Sequence, residues 1–214
     1  MNRRLGLLLA AVGLAALIVV GAIAISQGGA DDDDEPARVQ DLPQDRVWLG
    51  DSDAPATLIE FADLQCPFCA DYATETLPGV IDRHVRDGRL RLELRLLAFL
   101  GPDSVKGRDW AEAAALQNRL WPFTERFYAN QGPENSGYAT DAFLRRLARD
   151  TPGLDVNQVE ADLGNPRVRA LNREAERLAD RLRVEGTPSF YLVRDGGAPE
   201  PIDIGDLDQA LGGG

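Results

Sequence analysis

The chain of 214 residues is poor in cysteine, histidine and basic residues. Cys66 and Cys69 are its only cysteines, and His84 is its only histidine. A zinc site needs about four ligands, which these residues do not supply, so no bound metal is expected. No other cofactor is expected either. Asp and Glu number 35 against 23 Lys and Arg, and the net charge of −12 lacks the basic surface that nucleic acids require. We therefore expect no nucleic-acid partner.

Both cysteines follow an apolar stretch of the chain. Residues 57–61 are apolar and partly β-branched, which predicts a buried strand, and residues 63–65 make a short crossing. Cys66 then falls at a helix N-terminus, with Pro67 in the first turn, where its missing N–H costs nothing. Cys66 and Cys69 share one face of that helix, so their sulfurs can meet in a small disulfide loop.

This placement favours thiol chemistry. Unpaired N–H groups and the helix dipole stabilise a thiolate at Cys66, and a thiolate is the attacking species in thiol–disulfide exchange. Cys69 lies one turn deeper, so we expect it to be less exposed and to act as the resolving thiol. Phe68 stands between them and offers neither a proton nor a charge. A structural disulfide and a metal site are the alternatives, but so short a loop stabilises little and further ligands are lacking.

The one long hydrophobic run lies near the N-terminus. Residues 5–25 carry no charge, follow Arg3 and Arg4, and are long enough as a helix to span a bilayer. We expect residues 1–25 to be an uncleaved single-pass anchor in the cell membrane, with the catalytic domain outside the cytoplasm. The small residues at 22–24 leave the alternative of a cleaved signal peptide and a secreted protein.

The anchor is followed by a polar, acidic segment. Residues 26–45 include two consecutive glycines and the acidic run 31–35, and this composition cannot bury a core. We interpret residues 26–45 as a flexible tether that keeps the domain formed by residues 46–214 near the membrane surface.

The remainder of the chain indicates an α/β fold. Residues 89–99 alternate arginine with leucine, which is typical of a half-buried strand and completes a β–α–β unit with a parallel strand pair. The cysteine motif lies beyond the carboxyl end of the first strand, where open α/β sheets place their sites. Residues 103–183 carry only helical patterns, which predicts an inserted helical subdomain. Gly186 ends the last helix, and residues 189–193 are predicted to be a strand.

Three local predictions concern the helices and their ends. Pro78 and Gly79 predict an interruption of the helix that begins at Cys66. His84 lies in the charged segment 82–86, which favours solvent exposure over a catalytic role. Residues 206–211 precede three glycines, so the C-terminal helix is expected to be short and to cover the sheet edge poorly.

Pro188 stands directly before the last long strand. Cis peptide bonds in folded proteins nearly all precede proline, and proline is also tolerated in the trans form at the start of a strand. The segment alone leaves both isomers open.

Three motifs together resemble the DsbA-like branch of the thioredoxin superfamily. They are FADLQCPFC at residues 61–69, LWPFTERFYANQ at residues 120–131 and VEGTPSF at residues 184–190. The order of the motifs is that of the family, and the chain is most similar to its membrane-anchored, extracytoplasmic members in Gram-positive bacteria. The resemblance implies a thioredoxin fold with an inserted helical subdomain.

The resemblance also implies roles for individual residues. Cys66 is the expected nucleophile and Cys69 the resolving cysteine. Pro188 is expected to be cis and to face the disulfide, so that the Thr187 backbone can pair with an extended substrate chain. Glu60 matches a buried acidic group beneath the cysteines, where a raised pKa suits proton transfer to and from Cys69. The alternative for Glu60 is a partly exposed strand carboxylate.

Pro67 and Phe68 complete the expected substrate-binding residues beside Thr187. The strongest oxidases of the family often carry histidine between the cysteines, where Phe68 stands here, so the oxidising strength of this pair is open.

The implied activity is that of a monomeric dithiol oxidase that donates its disulfide to secreted or cell-surface proteins. Its expected partners are reduced substrate proteins and a membrane redox partner, either a quinone-linked reoxidase or an electron donor. The alternatives are a reductase or isomerase of the same fold, and a non-enzymatic carrier of metal or peptide.

Overall fold

The computed structural model describes residues 39–212, and these form a mixed sheet covered by helices. Six strands are described: β1 Gln44–Asp45, β2 Trp48–Leu49, β3 Ala56–Asp63, β4 Leu90–Leu97, β5 Ser189–Arg194 and β6 Glu200–Pro201. Their order in the sheet is β1-β2-β4-β3-β5-β6. β3 and β4 pair in parallel, from Ala56 opposite Leu90 to Asp63 opposite Leu97, which confirms the predicted β–α–β unit. The other pairings are antiparallel.

Helices fill the chain between the long strands, and one more follows the last strand. They are α1 Pro67–Asp71, α2 Leu77–Val80, α3 Pro102–Ala115, α4 Leu120–Ala129, α5 Asp141–Asp150, α6 Val156–Asp162, α7 Pro166–Leu182 and α8 Leu207–Ala210. The predicted insertion at 103–183 is confirmed as α3 to α7. Two of its helices begin with residues that commonly start helices, since the Thr140 side chain accepts a hydrogen bond from the Phe143 N–H and Pro166 occupies the first turn of α7.

The helix after the cysteines differs from the prediction. No break occurs at Pro78-Gly79, because two π-helical turns, Tyr72–Thr76 and Ile81–Val85, join α1, α2 and the following residues into one helical run. The Leu77 N–H reaches back to the Tyr72 carbonyl, and Pro78 then lies in the first turn of α2. A proline in a first turn lacks a hydrogen bond that the helix does not require there, so the run continues.

The core lies on both faces of the sheet. Successive side chains of a strand point to opposite faces, and in β3 Leu58 and Ala62 join the larger apolar cluster while Ile59 and Phe61 join a smaller one. The smaller cluster includes Ala175 and other residues of α7. Both faces of β3 are therefore buried, which explains its nearly continuous apolar sequence.

The polar face of β4 is buried rather than solvated, in contrast to the predicted half-buried strand. Glu93 and Arg95 are 9% and 8% exposed. Their side chains form an ion pair at 2.5 Å, and Arg95 also lies 3.6 Å from a carboxylate oxygen of Glu174 on α7. Opposite charges that pair in this way can be buried beneath a helix, so alternation with arginine does not identify a solvent face here.

The folded domain begins before residue 46. Val39 is buried, residues Val39–Asp41 form a 3₁₀ turn, and Gln44–Asp45 pair with Trp48–Leu49. The last part of the predicted tether at 26–45 therefore belongs to the fold. Among the described residues, no helix combines the length and the hydropathy that a bilayer crossing requires. The predicted anchor at 1–25 lies outside the described residues.

The C-terminal helix is short, as predicted. α8 spans Leu207–Ala210 and follows a 3₁₀ turn at Ile204–Asp206. The outermost strands of the described sheet, β1 and β6, have two residues each, and β6 contains Pro201.

His84 is buried, so its predicted exposure is wrong. The residue is 3% exposed, and Nε2 lies 2.6 Å from Oδ1 of Asp208 in α8. The charged segment 82–86 forms part of a π-helical turn that packs against the C-terminal helix. The buried ring thereby gains an acidic partner that is 124 residues away in the sequence.

Candidate active site

The sheet and the first helix place the two thiols at different depths. β3 ends at Asp63, whose carbonyl accepts a hydrogen bond from the Cys66 N–H at 3.0 Å, and Cys66 caps α1 with extended backbone angles. Cys66 retains 5% exposure, whereas Cys69 has none. This confirms that Cys69 is the deeper thiol. Phe68 projects from the first turn with 69% of its surface exposed.

The loop before β5 faces the outer cysteine. The Thr187–Pro188 peptide bond is cis, which confirms the isomer that the family resemblance implied. Sγ of Cys66 lies 3.2 Å from the carbonyl oxygen of Thr187 and donates a hydrogen bond to it. The fold thus brings together residues that are 121 positions apart. The exposed Pro67 and Phe68 and the half-buried Thr187 border this contact.

The inner thiol lies in an environment that opposes its ionisation. Burial raises the pKa of Cys69 well above its usual range, and the charge of Glu60 raises it further. Cys69 is therefore a thiol at neutral pH when the pair is reduced. Any mechanism in which Cys69 reacts as a thiolate must therefore first remove the proton from this sulfur.

Glu60 occupies the face of β3 that points toward Cys69. It is 5% exposed, so the alternative of a partly exposed strand carboxylate is wrong, and burial raises its pKa to about 8. A cavity of about 20 Å³ adjoins the carboxylate and is walled partly by Leu77 and Leu94. This volume is enough for a single water molecule. The geometry agrees with a proton-carrying role, which remains a prediction.

Asp63 is a site residue that the sequence did not reveal. It is fully buried and accepts hydrogen bonds from four groups that hold the strand end and the loop after β4 together. The donors are Gln65 N–H at 2.9 Å, Ser104 Oγ at 2.6 Å, Phe99 N–H at 2.7 Å and Leu100 N–H at 3.1 Å. A buried carboxylate with this many donors is well satisfied. The feature of the sequence that could have indicated this role is an aspartate at the end of an apolar strand.

Two glutamine side chains complete the support of the motif. Nε2 of Gln65 donates to the Leu100 carbonyl at 2.6 Å, and its Oε1 accepts from the Asn135 N–H at 2.7 Å. Nε2 of Gln131 donates to the carbonyls of Leu64 and Cys66 at 2.8 and 3.2 Å. Neither role has a periodic signature in the sequence, because each depends on partners from distant elements.

Exposed apolar side chains occur at and near the site. Within residues 39–212, the large hydrophobic side chains with high exposure are Phe68, Phe99 and Val105. The Phe99 N–H bonds to Asp63, so this ring lies on the loop beside the cysteine motif. No group of three or more His, Cys, Asp or Glu residues in the described chain is arranged to hold a metal ion.

These features define a class of protein. Cys66 lies at a helix N-terminus with a fully buried second thiol one turn away. The Thr187 carbonyl, next to a cis proline, faces Cys66, and this arrangement at the end of a parallel strand is that of a thiol–disulfide exchange site. The chain is a protein thiol–disulfide oxidoreductase on a thioredoxin-like α/β fold.

Comparison with known proteins gives the family. The family model described as Thioredoxin matches residues 43–211, and the chain belongs to that family. A protein named probable disulfide bond formation protein D, from Bacillus anthracis, is 28% identical over 201 residues, which span 92% of this chain and 90% of the relative.

Two solved structures share the architecture. Oxidised BdbD from Bacillus subtilis aligns with a TM-score of 0.68 at 20% identity, covering 81% of this chain and 92% of that one. DsbA from Chlamydia trachomatis aligns with a TM-score of 0.63 at 16% identity, covering 83% and 93%. The chain therefore has the DsbA-like form of the fold, in which a helical insertion interrupts the thioredoxin domain.

Proposed function

We propose that this protein is an extracytoplasmic dithiol oxidase that donates the Cys66–Cys69 disulfide to reduced proteins. The observation that carries the proposal is the contact of Cys66 Sγ with the Thr187 carbonyl, beside cis-Pro188. A substrate chain laid along this loop can bond to the Thr187 backbone with little dependence on its sequence. The relative named for disulfide bond formation supports the oxidative direction.

The reaction proceeds by two thiol–disulfide exchanges. A substrate thiolate attacks Sγ of Cys66, the Cys66–Cys69 bond breaks, and Cys69 leaves with the electron pair and takes up a proton. A second substrate thiolate then attacks the substrate sulfur of the mixed disulfide and releases Cys66. Two electrons pass from the substrate to the pair, so the substrate gains a disulfide and the enzyme holds two thiols.

Glu60 supplies the proton that Cys69 requires. With a pKa raised to about 8, the carboxyl group carries its proton at neutral pH and can release it toward the departing sulfur. Reoxidation runs the transfer in reverse, because Cys69 must lose its proton before it can attack Cys66 in a mixed disulfide with the next partner.

A location at the membrane brings the domain close to a membrane-bound oxidant. The uncharged run at residues 5–25 after Arg3 and Arg4 supports a single-pass anchor with the domain outside, where protein disulfides persist. A quinone-linked membrane protein is then the class of partner that accepts the two electrons of the reduced pair. The domain works as a monomer at the end of its tether.

The direction of the reaction is tested by the reduction potential of the cysteine pair in glutathione buffers. A value of about −120 mV, together with recovery of activity by a reduced, unfolded test enzyme, is expected for a disulfide donor. A value of about −270 mV with rapid reduction of an insulin disulfide would overturn the oxidase proposal and indicate a reductase. Cys66→Ser is the negative control, since it removes exchange without removing Cys69.

Tight stoichiometric metal binding by the reduced protein without any exchange would indicate a carrier instead.

A further inference from the structure

One side chain of the helical insertion reaches the backbone that carries the nucleophile. Gln131 lies just beyond the end of α4, and its Nε2 donates to the carbonyls of Leu64 at 2.8 Å and Cys66 at 3.2 Å. The Cys66 carbonyl also accepts the first helical hydrogen bond of α1, from the Ala70 N–H at 3.2 Å. A single amide group therefore links the short connection before Cys66, residues 63–65, to the first turn of α1.

Gln131 is itself held in place. Its N–H donates to the Tyr128 carbonyl at 3.2 Å. The next residue, Gly132, lies under the ring of Tyr138, where an added Cβ would be 2.6 Å from a ring carbon. Tyr138 in turn packs against Phe127 of α4, with 6.0 Å between ring centroids. The amide is thus attached to a packed part of the insertion rather than to a free loop.

We propose that Gln131 positions the nucleophile. By fixing the carbonyls on either side of Gln65, it holds Cys66 so that Sγ stays against the Thr187 carbonyl, 3.2 Å away. The role requires a group with two N–H donors, which an amide provides and a carboxylate does not. This inference rests on the proposed disulfide exchange and assigns a further residue to it.

The test compares Gln131→Ala and Gln131→Glu with the parent full-length chain. We expect Gln131→Ala to slow exchange with a reduced peptide about tenfold, which corresponds to the loss of hydrogen bonds of ordinary net strength. Gln131→Glu keeps the shape but places carboxylate oxygens against two carbonyls. It is expected to be at least as slow at neutral pH and to recover in part, relative to the parent, as acid restores one O–H donor in place of the two N–H donors.

Gln117 provides the matched control in the same insertion. Its amide also makes two hydrogen bonds, with Nε2 donating to the Asp155 carbonyl at 3.0 Å and Oε1 accepting from the Asp155 N–H at 2.9 Å. Gln117→Ala is expected to stay within twofold of the parent. Thermal unfolding of each variant identifies any that fail to fold, in which case the near-isosteric Gln131→Glu decides the result.

Two results would overturn the positioning role. One is a Gln131→Ala variant that exchanges within twofold of the parent, and the other is an equal loss in Gln117→Ala. Should the parent fail to oxidise any substrate, the proposed function fails. The positioning role is then decided separately by the alkylation rate of Cys66 with iodoacetamide, which we expect Gln131→Ala to change and Gln117→Ala to leave unchanged.

Discussion

At the scale of single residues, the two thiols are chemically unequal. Cys66 meets solvent and the Thr187 carbonyl, whereas Cys69 is fully buried with its pKa raised by burial. We expect Cys69→Ser to form mixed disulfides at Cys66 that it cannot resolve, so adducts accumulate while multiple turnover falls to background. Intact mass spectrometry after mixing with an oxidised peptide measures the adducts. Equal accumulation in Cys66→Ser would contradict this assignment of the two roles.

Glu60 makes stability depend on pH. Its pKa is about 8 in the fold against 4.5 when unperturbed, so the unfolded chain binds fewer protons between these values. The contribution of this group to the free energy of unfolding is therefore fully present below pH 4.5 and declines as pH rises toward 8, by on the order of 4 kcal/mol. We expect Glu60→Gln to flatten this dependence and to be more stable than the parent at pH 8. Urea unfolding at several pH values measures it.

Glu112 is the matched control for Glu60. It is 1% exposed on α3, and burial also raises its pKa to about 8 despite the opposing charges of Arg95 and Arg108. Glu112→Gln should change the pH dependence of stability in the same direction, yet leave the rate of disulfide exchange within twofold. Glu60→Gln should slow the steps that move a proton at Cys69. Equal exchange rates in the two variants would remove Glu60 from the proton transfer.

Residues with a local signal were predictable from the sequence, and residues with distant partners were not. The cysteine pair, its helix start and Pro188 are marked by neighbours in the chain. His84 is not, because the Asp208 that makes its burial tolerable lies 124 positions away. Asp63 is likewise defined by partners that include Ser104, which is 41 positions away.

At the scale of secondary structure, the His84–Asp208 pair joins the active-site helical run to α8. Removing the ring leaves a cavity and takes from Asp208 its shorter hydrogen bond, with Arg83 at 3.4 Å as the remaining partner, so we expect His84→Ala to lower the free energy of unfolding by roughly 1–3 kcal/mol. Amide hydrogen exchange in residues 207–210 should accelerate more than in α7. Denaturant unfolding and exchange mass spectrometry measure the two effects.

Arg86 supplies the control for this element. It pairs with Asp82 at 3.2 Å in the same segment, but both side chains are largely exposed. Arg86→Ala should change stability by less than about 0.5 kcal/mol. Unchanged exchange at α8 in His84→Ala would show that the pair does not hold this helix.

The pKa of Asp208 is lowered chiefly by its bond to His84, so the contribution of the pair is present above the usual titration range of Asp and declines in acid.

Element boundaries followed local chemistry wherever caps were present. The Thr140 cap of α5 and Pro166 in the first turn of α7 are signals of this kind, since capping depends on residues within one turn. The π-helical turns around Pro78 were missed because they widen the hydrogen-bond register without any distinct residue pattern. The buried charges of β4 were misread for a related reason: the covering helix α7 comes from nearly 80 residues later in the chain.

At the scale of the whole molecule, the location of the chemistry depends on the anchor that we propose at residues 1–25. We expect the full chain to sediment with membranes, to resist extraction by alkaline carbonate, and to be digested by protease added outside intact cells. A chain lacking residues 1–25 should remain in the soluble fraction. Release of a shortened chain into the medium would instead indicate cleavage near residues 22–24, and protection from external protease would overturn the extracytoplasmic location.

The two-residue strands at the outer edges of the described sheet bear on self-association. An enzyme that acts on unfolded substrate proteins is surrounded by extended chains, which can hydrogen-bond to unpaired backbone N–H and C=O groups at a sheet edge. β1 and β6 offer too few such groups to template a growing cross-β stack, and Pro201 removes a donor from β6. The proposed function instead places substrate chains at the short backbone segment of Thr187, where pairing would be followed by disulfide exchange and release rather than by fibril growth.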